Sequence, residues 1–156
     1  MMDAALTRVR ELAGPQVVMP ASMDDLLATL EPIYTGFDRI AAITTVIRST
    51  PQGRALRLAQ KDQRVRAYTA AAAEPVRALP PRDQVIATAM FQMLHTTPWL
   101  ELRDHWGLSG EEIARGTGWA IRALLADLAR RGAEGLDKDV AEIEPDGANS
   151  PVAAIP

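Results

Sequence analysis

A chain of 156 residues, 47% of them hydrophobic, has the length of one ordinary domain and enough apolar content for its own core. It contains no cysteine, which excludes disulfide stapling and thiolate chemistry and fits a reducing compartment, so a cytoplasmic location is expected. The net charge of −3 is unevenly placed: Glu134, Asp137, Asp139, Glu142, Glu144 and Asp146 face only Lys138 in residues 132–156, leaving residues 1–131 at +2, short of the basic excess usual in a nucleic-acid-binding domain.

Alanine, leucine and arginine are abundant, aromatics make up 4%, and period-two β-branched runs are missing. An all-α fold of about six helices is therefore expected. The first 14 residues hold no continuous apolar run of the signal-peptide kind. No stretch approaches the ~20 apolar residues of a membrane span, so no membrane partner is expected. Leu6, Val9 and Leu12 suggest a short helix over 3–12, followed by a loop bracketed by Gly14, Pro15 and Pro20. Ser22 is a natural N-cap, with Asp24 and Asp25 at the positive helix end. Leu26, Leu27, Leu30, Ile33, Tyr34 and Phe37 then form an apolar stripe, in which Pro32 predicts a kink or break. Ile40, Ile43, Val46 and Ile47 continue the apolar pattern.

Thr50-Pro51 predicts the next helix start, with the helix running to about Ala73. Arg54, Arg57, Lys61 and Arg64 share one face of it and read as a solvated stripe, with phosphate contact the less favoured reading. After Pro80-Pro81, Val85, Ile86, Ala87, Ala89, Met90, Phe91, Met93 and Leu94 cover nearly the whole circumference of a helix over about 82–95. A helix apolar all round needs cover all round, so a partner surface or a pocket is expected on one side. Thr97-Pro98 opens a short helix with Trp99, Leu102 and Trp106, ending at Gly107. Ser109 and Glu112 form a capping box for the last helix, about 110–131, stopped by Gly132.

That last helix has two apolar faces. Ile113, Thr117, Ala120, Ile121, Leu124 and Leu128 form a core stripe, and Gly116, Trp119, Ala123 and Ala126 form a second face of small residues around one large ring. Small residues permit close approach of another helix, and Trp119 offers a large area to bury. Periodicity favours a helix–helix dimer interface there over cover by the chain's own helices. Residues 132–156 are acidic, rich in Pro and Gly and weakly apolar, and read as a mostly disordered tail to a domain over 1–131.

Residues 90–128 resemble the C-terminal end of TetR-family transcriptional regulators. The resemblance rests on an apolar helix, a short Trp-bearing helix, Gly107-Leu108-Ser109 with Glu111-Glu112, and a long helix with Trp119-Ala120 near its middle. Residues 20–42 and Thr50-Pro51-Gln52-Gly53-Arg54 also look like the sensing domain of that family. The resemblance implies a ligand-binding and dimerisation domain of a repressor. It would act as a homodimer through Val85, Ala89, Gly116, Trp119, Ala123 and Ala126, and bind a small, mainly apolar effector. Tyr34, Phe37, Tyr68, Met90, Met93 and Trp99 are the candidate ligand-binding residues, with plain core as their alternative role. The three-helix DNA-reading head of such regulators has no match in these residues, so DNA contact is expected only through a head absent from this chain. The alternative is a headless protein that pairs with a full-length regulator and blocks its DNA binding.

No cofactor and no metal are expected: without cysteine, His95 and His105 are the only nitrogen ligands, and Asp104 and His105 point about 100° apart on a helix. No enzyme activity is expected either. Ser22 and Ser109 are explained as caps, and neither a nucleophile elbow nor a phosphate-binding glycine loop occurs.

Overall fold

The computed structural model describes residues 19–138, and seven α-helices with no strand make up that span. They are α1 (Met23–Arg39), α2 (Ala41–Ser49), α3 (Pro51–Ala59), α4 (Lys61–Val76), α5 (Pro81–Thr96), α6 (Trp99–Trp106) and α7 (Gly110–Arg131). The expected helix over 3–12, and the tail over 139–156, lie outside the described residues.

Local chemistry sets most of the boundaries. The Asp25 amide donates to the Ser22 hydroxyl at 3.1 Å, and the Ala21 amide donates to the Asp25 carboxylate at 2.9 Å, closing the start of α1. Thr50 accepts from the Gly53 amide, with Pro51 in the first turn of α3. Gly107 ends α6 in the left-handed region at φ 65°, and the Ser109–Glu112 capping box opens α7.

Three boundaries differ from the sequence expectation. Helix α1 runs through Pro32, because Leu30, Ile33, Tyr34 and Phe37 on either side of it are all buried. Their packing outweighs the hydrogen bond that proline cannot make, and the chain turns at Ile40 instead. The helix expected from 51 to about 73 is two helices, broken at Gln60 (φ −103°, ψ 12°). No Gly or Pro marks that break; tertiary contacts set it. Gly53 packs directly on the backbone of Ile47, and the Arg57 guanidinium donates to the carbonyls of Ile47 and Arg48 at 3.2 and 3.3 Å, so α3 folds tightly against α2. Finally, residues 132–138, expected to belong to the tail, form turns that bond to the helical body. Arg131, 7% exposed, holds the Asp127 carboxylate and donates to the Gly135 carbonyl at 2.7 Å, while the Leu136 amide donates to Asp83 at 3.0 Å. Leu136 packs against the core.

The core is built on α1 and α7. Leu26, Leu30, Ile33, Tyr34 and Phe37 of α1 meet Ile113, Ile121 and Leu128 of α7. Tyr68, Ala72 and Val76 of α4, Ala87 and Phe91 of α5, and Trp99 of α6 close the sides. The start of α7 sits so close to α1 that a β-carbon on Gly110 would lie 2.5 Å from the Tyr34 carbonyl oxygen.

Two glycines of one helix therefore have opposite roles. Gly110→Ala should cost about 2 kcal/mol or more, because the α1–α7 crossing must open. A β-carbon on Gly116 meets nothing within 4 Å. Gly116→Ala should therefore stabilise the folded monomer by up to about 1 kcal/mol through helix propensity alone. Urea unfolding of both variants measures the contrast.

Candidate functional site

Helices α5 and α7 lie side by side and antiparallel. Asp83 in the first turn of α5 reaches Leu136, just past the end of α7, while Leu94 and Thr117 both lie beside the Tyr34 hydroxyl. Each helix turns one apolar face inward. On α5 that face is Ala87, Phe91 and His95; on α7 it includes Ile113, Thr117, Ile121 and Leu128. Each also carries a second apolar strip that the described residues leave exposed. On α5 the strip is Val85, Ile86, Ala89, Met90 and Met93, and on α7 it is Gly116, Trp119, Ala123 and Ala126. Val85 is 57% and Trp119 71% exposed. All six residues expected at a dimer interface, Val85, Ala89, Gly116, Trp119, Ala123 and Ala126, are thus on the surface of two neighbouring helices.

The six residues expected to line a ligand pocket divide into two environments. Tyr34, Phe37, Tyr68 and Trp99 are buried in the core. Their polar atoms already have partners: the Tyr34 hydroxyl donates to the Leu94 carbonyl, and the Trp99 indole N–H donates to Asp38 at 2.8 Å. Phe37 packs edge-on to both Tyr34 and Trp99. Met90 and Met93 lie on the outward side of α5, with the exposed strip. The structure does not bring the six to one cavity, because Phe91 and His95, not the methionines, occupy the inward side of α5.

At the centre of this interior is a polar chain built around the buried His95. The buried His95 ring lies 2.6 Å from the Tyr68 hydroxyl through Nδ1 and 2.9 Å from Thr29 Oγ1 through Nε2. Thr29 spends its single hydroxyl proton on the Asp25 carbonyl at 2.8 Å, so it accepts from His95 Nε2–H. Nδ1 then accepts from the Tyr68 phenol. The imidazole is neutral and fully satisfied. Burial lowers its pKa to about 4, against a smaller opposing pull from Asp25, and burial raises that of Tyr68 to about 12.

A concave feature on the surface is basic. A cleft of about 200 Å³ opens between α3, α4 and α5, lined by Arg54, Arg57, Leu58, Lys61, Arg64, Val65 and Gln92. The break at Gln60 is what bends the expected straight stripe of cations into this hollow. Behind it, Arg48 donates to the Thr96 and Thr97 carbonyls at the end of α5 and lies over the Phe37 ring at 5.2 Å. Burial first, and then repulsion from Arg57 and Arg64, lower the Arg48 pKa to about 10. Among the described residues, no group of three or more His, Cys, Asp or Glu side chains is placed to hold a metal ion. No described helix is long and apolar enough to cross a membrane.

Comparison with protein-family models, with curated proteins and with solved structures finds no match to this chain.

His95 makes stability pH-dependent. The unfolded chain binds a proton at this ring near pH 6.5, whereas the native state refuses it until about pH 4. Stability is therefore fully present above pH 6.5 and falls as the pH drops toward 4. Between pH 7.5 and pH 5 the unfolding free energy should fall by about 2 kcal/mol. Glu112 and Asp127, whose pKa values are lowered, act at more acid pH. In His95→Gln the drop over this window should largely vanish, as read by urea titrations at both pH values; an unchanged drop would place its origin elsewhere.

Proposed function

We propose that this chain is the dimerising, effector-sensing body of a TetR-like transcriptional repressor and that it works as a homodimer. The observation that carries this reading is the pair of uncovered apolar strips on α5 and α7. Scattered exposed apolar residues are ordinary, but here Val85, Ile86, Met90, Met93 and Trp119 come from two adjacent helices, with small residues between them. An isologous pairing, in which both helices meet their two-fold mates, covers both strips in a four-helix interface. The glycine and alanines of α7 let the partner backbone come close, and Trp119 supplies the large ring that such a contact buries.

Sensing requires that an effector prefer one of two states. The interior around Tyr34, Phe37, Tyr68 and Trp99 is closed by the Tyr68–His95–Thr29 chain, which ties α4 and α5 to α1. A small, mainly apolar effector lodging there favours a state in which these helices have separated. Movement of α5 then passes to the dimer contact, because the same helix carries both. In such a repressor, DNA contact belongs to a separate reading head, whose spacing the paired bodies control.

Light scattering tests the central element. The chain should run at twice 16.9 kDa at micromolar concentration. Trp119→Arg should weaken pairing at least about a hundred-fold, since a charge buried without a partner costs several kcal/mol. Trp119 is exposed in the single chain, so the variant should keep its helical circular dichroism. A parent chain that stays monomeric at high micromolar concentration would overturn the reading.

A further inference from the structure

We propose that the cleft between α3, α4 and α5 is a binding site for a small organic phosphate, its anionic group held by Arg54, Lys61 and Arg64 and its apolar part resting on Leu58 and Val65. Four cationic side chains converge on a hollow of about 200 Å³ with no acidic residue in its lining. Among the described residues, none of the four is paired with a carboxylate. Arg57 is partly used: one nitrogen donates to the Ile47 and Arg48 carbonyls. The side chains of Arg54, Lys61 and Arg64 make no hydrogen bond to the described residues and keep their donors free for an anion.

Crowding of this kind has a cost that a bound anion removes. Arg57 and Arg64 both lie close enough to Arg48 to make its charged form less favourable. Like charges on an open surface spread apart; here the turn at Gln60 brings all four to the wall of one hollow. Guanidinium forks and a lysine ammonium match the oxygens of a phosphate group. Gln92, on α5, adds a neutral amide to the wall. Leu58 and Val65 are 50% and 49% exposed beside the cations, which a bare inorganic ion would leave unused. The site is a compact hollow, not a track along which a nucleic-acid backbone could run, and residues 1–131 carry only +2. A discrete phosphate ester fits both features. The cleft belongs to a single chain, so its occupancy can be read whatever the oligomeric state.

Calorimetric titration of the full chain at low salt tests the site with three probes: octyl phosphate below its micellar range, inorganic pyrophosphate, and a 20-base-pair DNA duplex. Octyl phosphate and pyrophosphate should both bind. The double variant Arg54→Gln/Lys61→Gln should weaken both at least about ten-fold, since each lost charge-assisted contact is worth up to an order of magnitude. Both residues are exposed and make no structural bond, so its melting temperature should match the parent. Leu58→Gln should weaken octyl phosphate about three-fold or more and leave pyrophosphate unchanged. Absence of heat with both small probes at millimolar concentration would overturn the proposal, as would equal binding by the double variant. Duplex binding that the double variant abolishes, with neither small probe bound, would overturn it in favour of a nucleic-acid contact.

Discussion

The arrangement depends on one carboxylate. Asp38, in the last turn of α1, accepts from the indole of Trp99 at 2.8 Å and from the amide of Gly110 at 2.6 Å. One side chain thereby ties the end of α1 to α6 and to the first residue of α7, where a negative charge also meets the positive end of the helix dipole. The contact is possible only because Gly110 lets α7 approach the α1 backbone. From that point α7 runs back along α1, so that Gly118 passes beside Leu30. The crossing fixes which side of α7 faces inward. Once Ile113, Thr117 and Ile121 are committed to α1, the strip from Gly116 to Ala126 has no cover among the described residues.

The interior is closed by a different device. A buried histidine is usually costly, but His95 has a donor on one nitrogen and an acceptor on the other, supplied by α4 and α1. Its neutrality is thus part of the packing, and three helices are registered by one ring. The aromatic residues around it are satisfied in the same way, which leaves no free polar handle at Tyr34, Tyr68 or Trp99.

What the sequence made legible follows from the range of the forces involved. Caps and stops act within four residues, and Ser22, Thr50-Pro51, Gly107 and the Ser109–Glu112 box could all be read directly. The two faces of α7 were also readable, because periodicity alone separates Ile113 and Thr117 from Gly116 and Trp119. The break at Gln60 was not, since its causes, Gly53 against Ile47 and Arg57 on the end of α2, are contacts between helices. Pro32 misled for the same reason: a local rule lost to burial on both sides of it. The aromatic residues gave no sign of whether they lined a void or filled it, because that depends on partners distant in sequence, such as Asp38 and Trp99, 61 positions apart. Residues 132–138 read as a tail by composition, yet Asp83 and Arg131 give their backbone the partners that composition cannot reveal.

Helix α5 is where these features meet. Its inward side holds Phe91 and His95, its outward strip carries Met90 and Met93, and Gln92 reaches the basic cleft. Its C-terminal carbonyls, at Thr96 and Thr97, are held by Arg48. The charge on Arg48 is disfavoured first by burial and then by Arg57 and Arg64, the cations of the cleft. At neutral pH Arg48 stays charged all the same, since a pKa of about 10 lies well above it, and it holds the end of α5 through the Thr96 and Thr97 carbonyls. The inward packing, the exposed strip and the wall of the cleft are therefore set by one helix, whose end is fixed by a cation that borders that cleft.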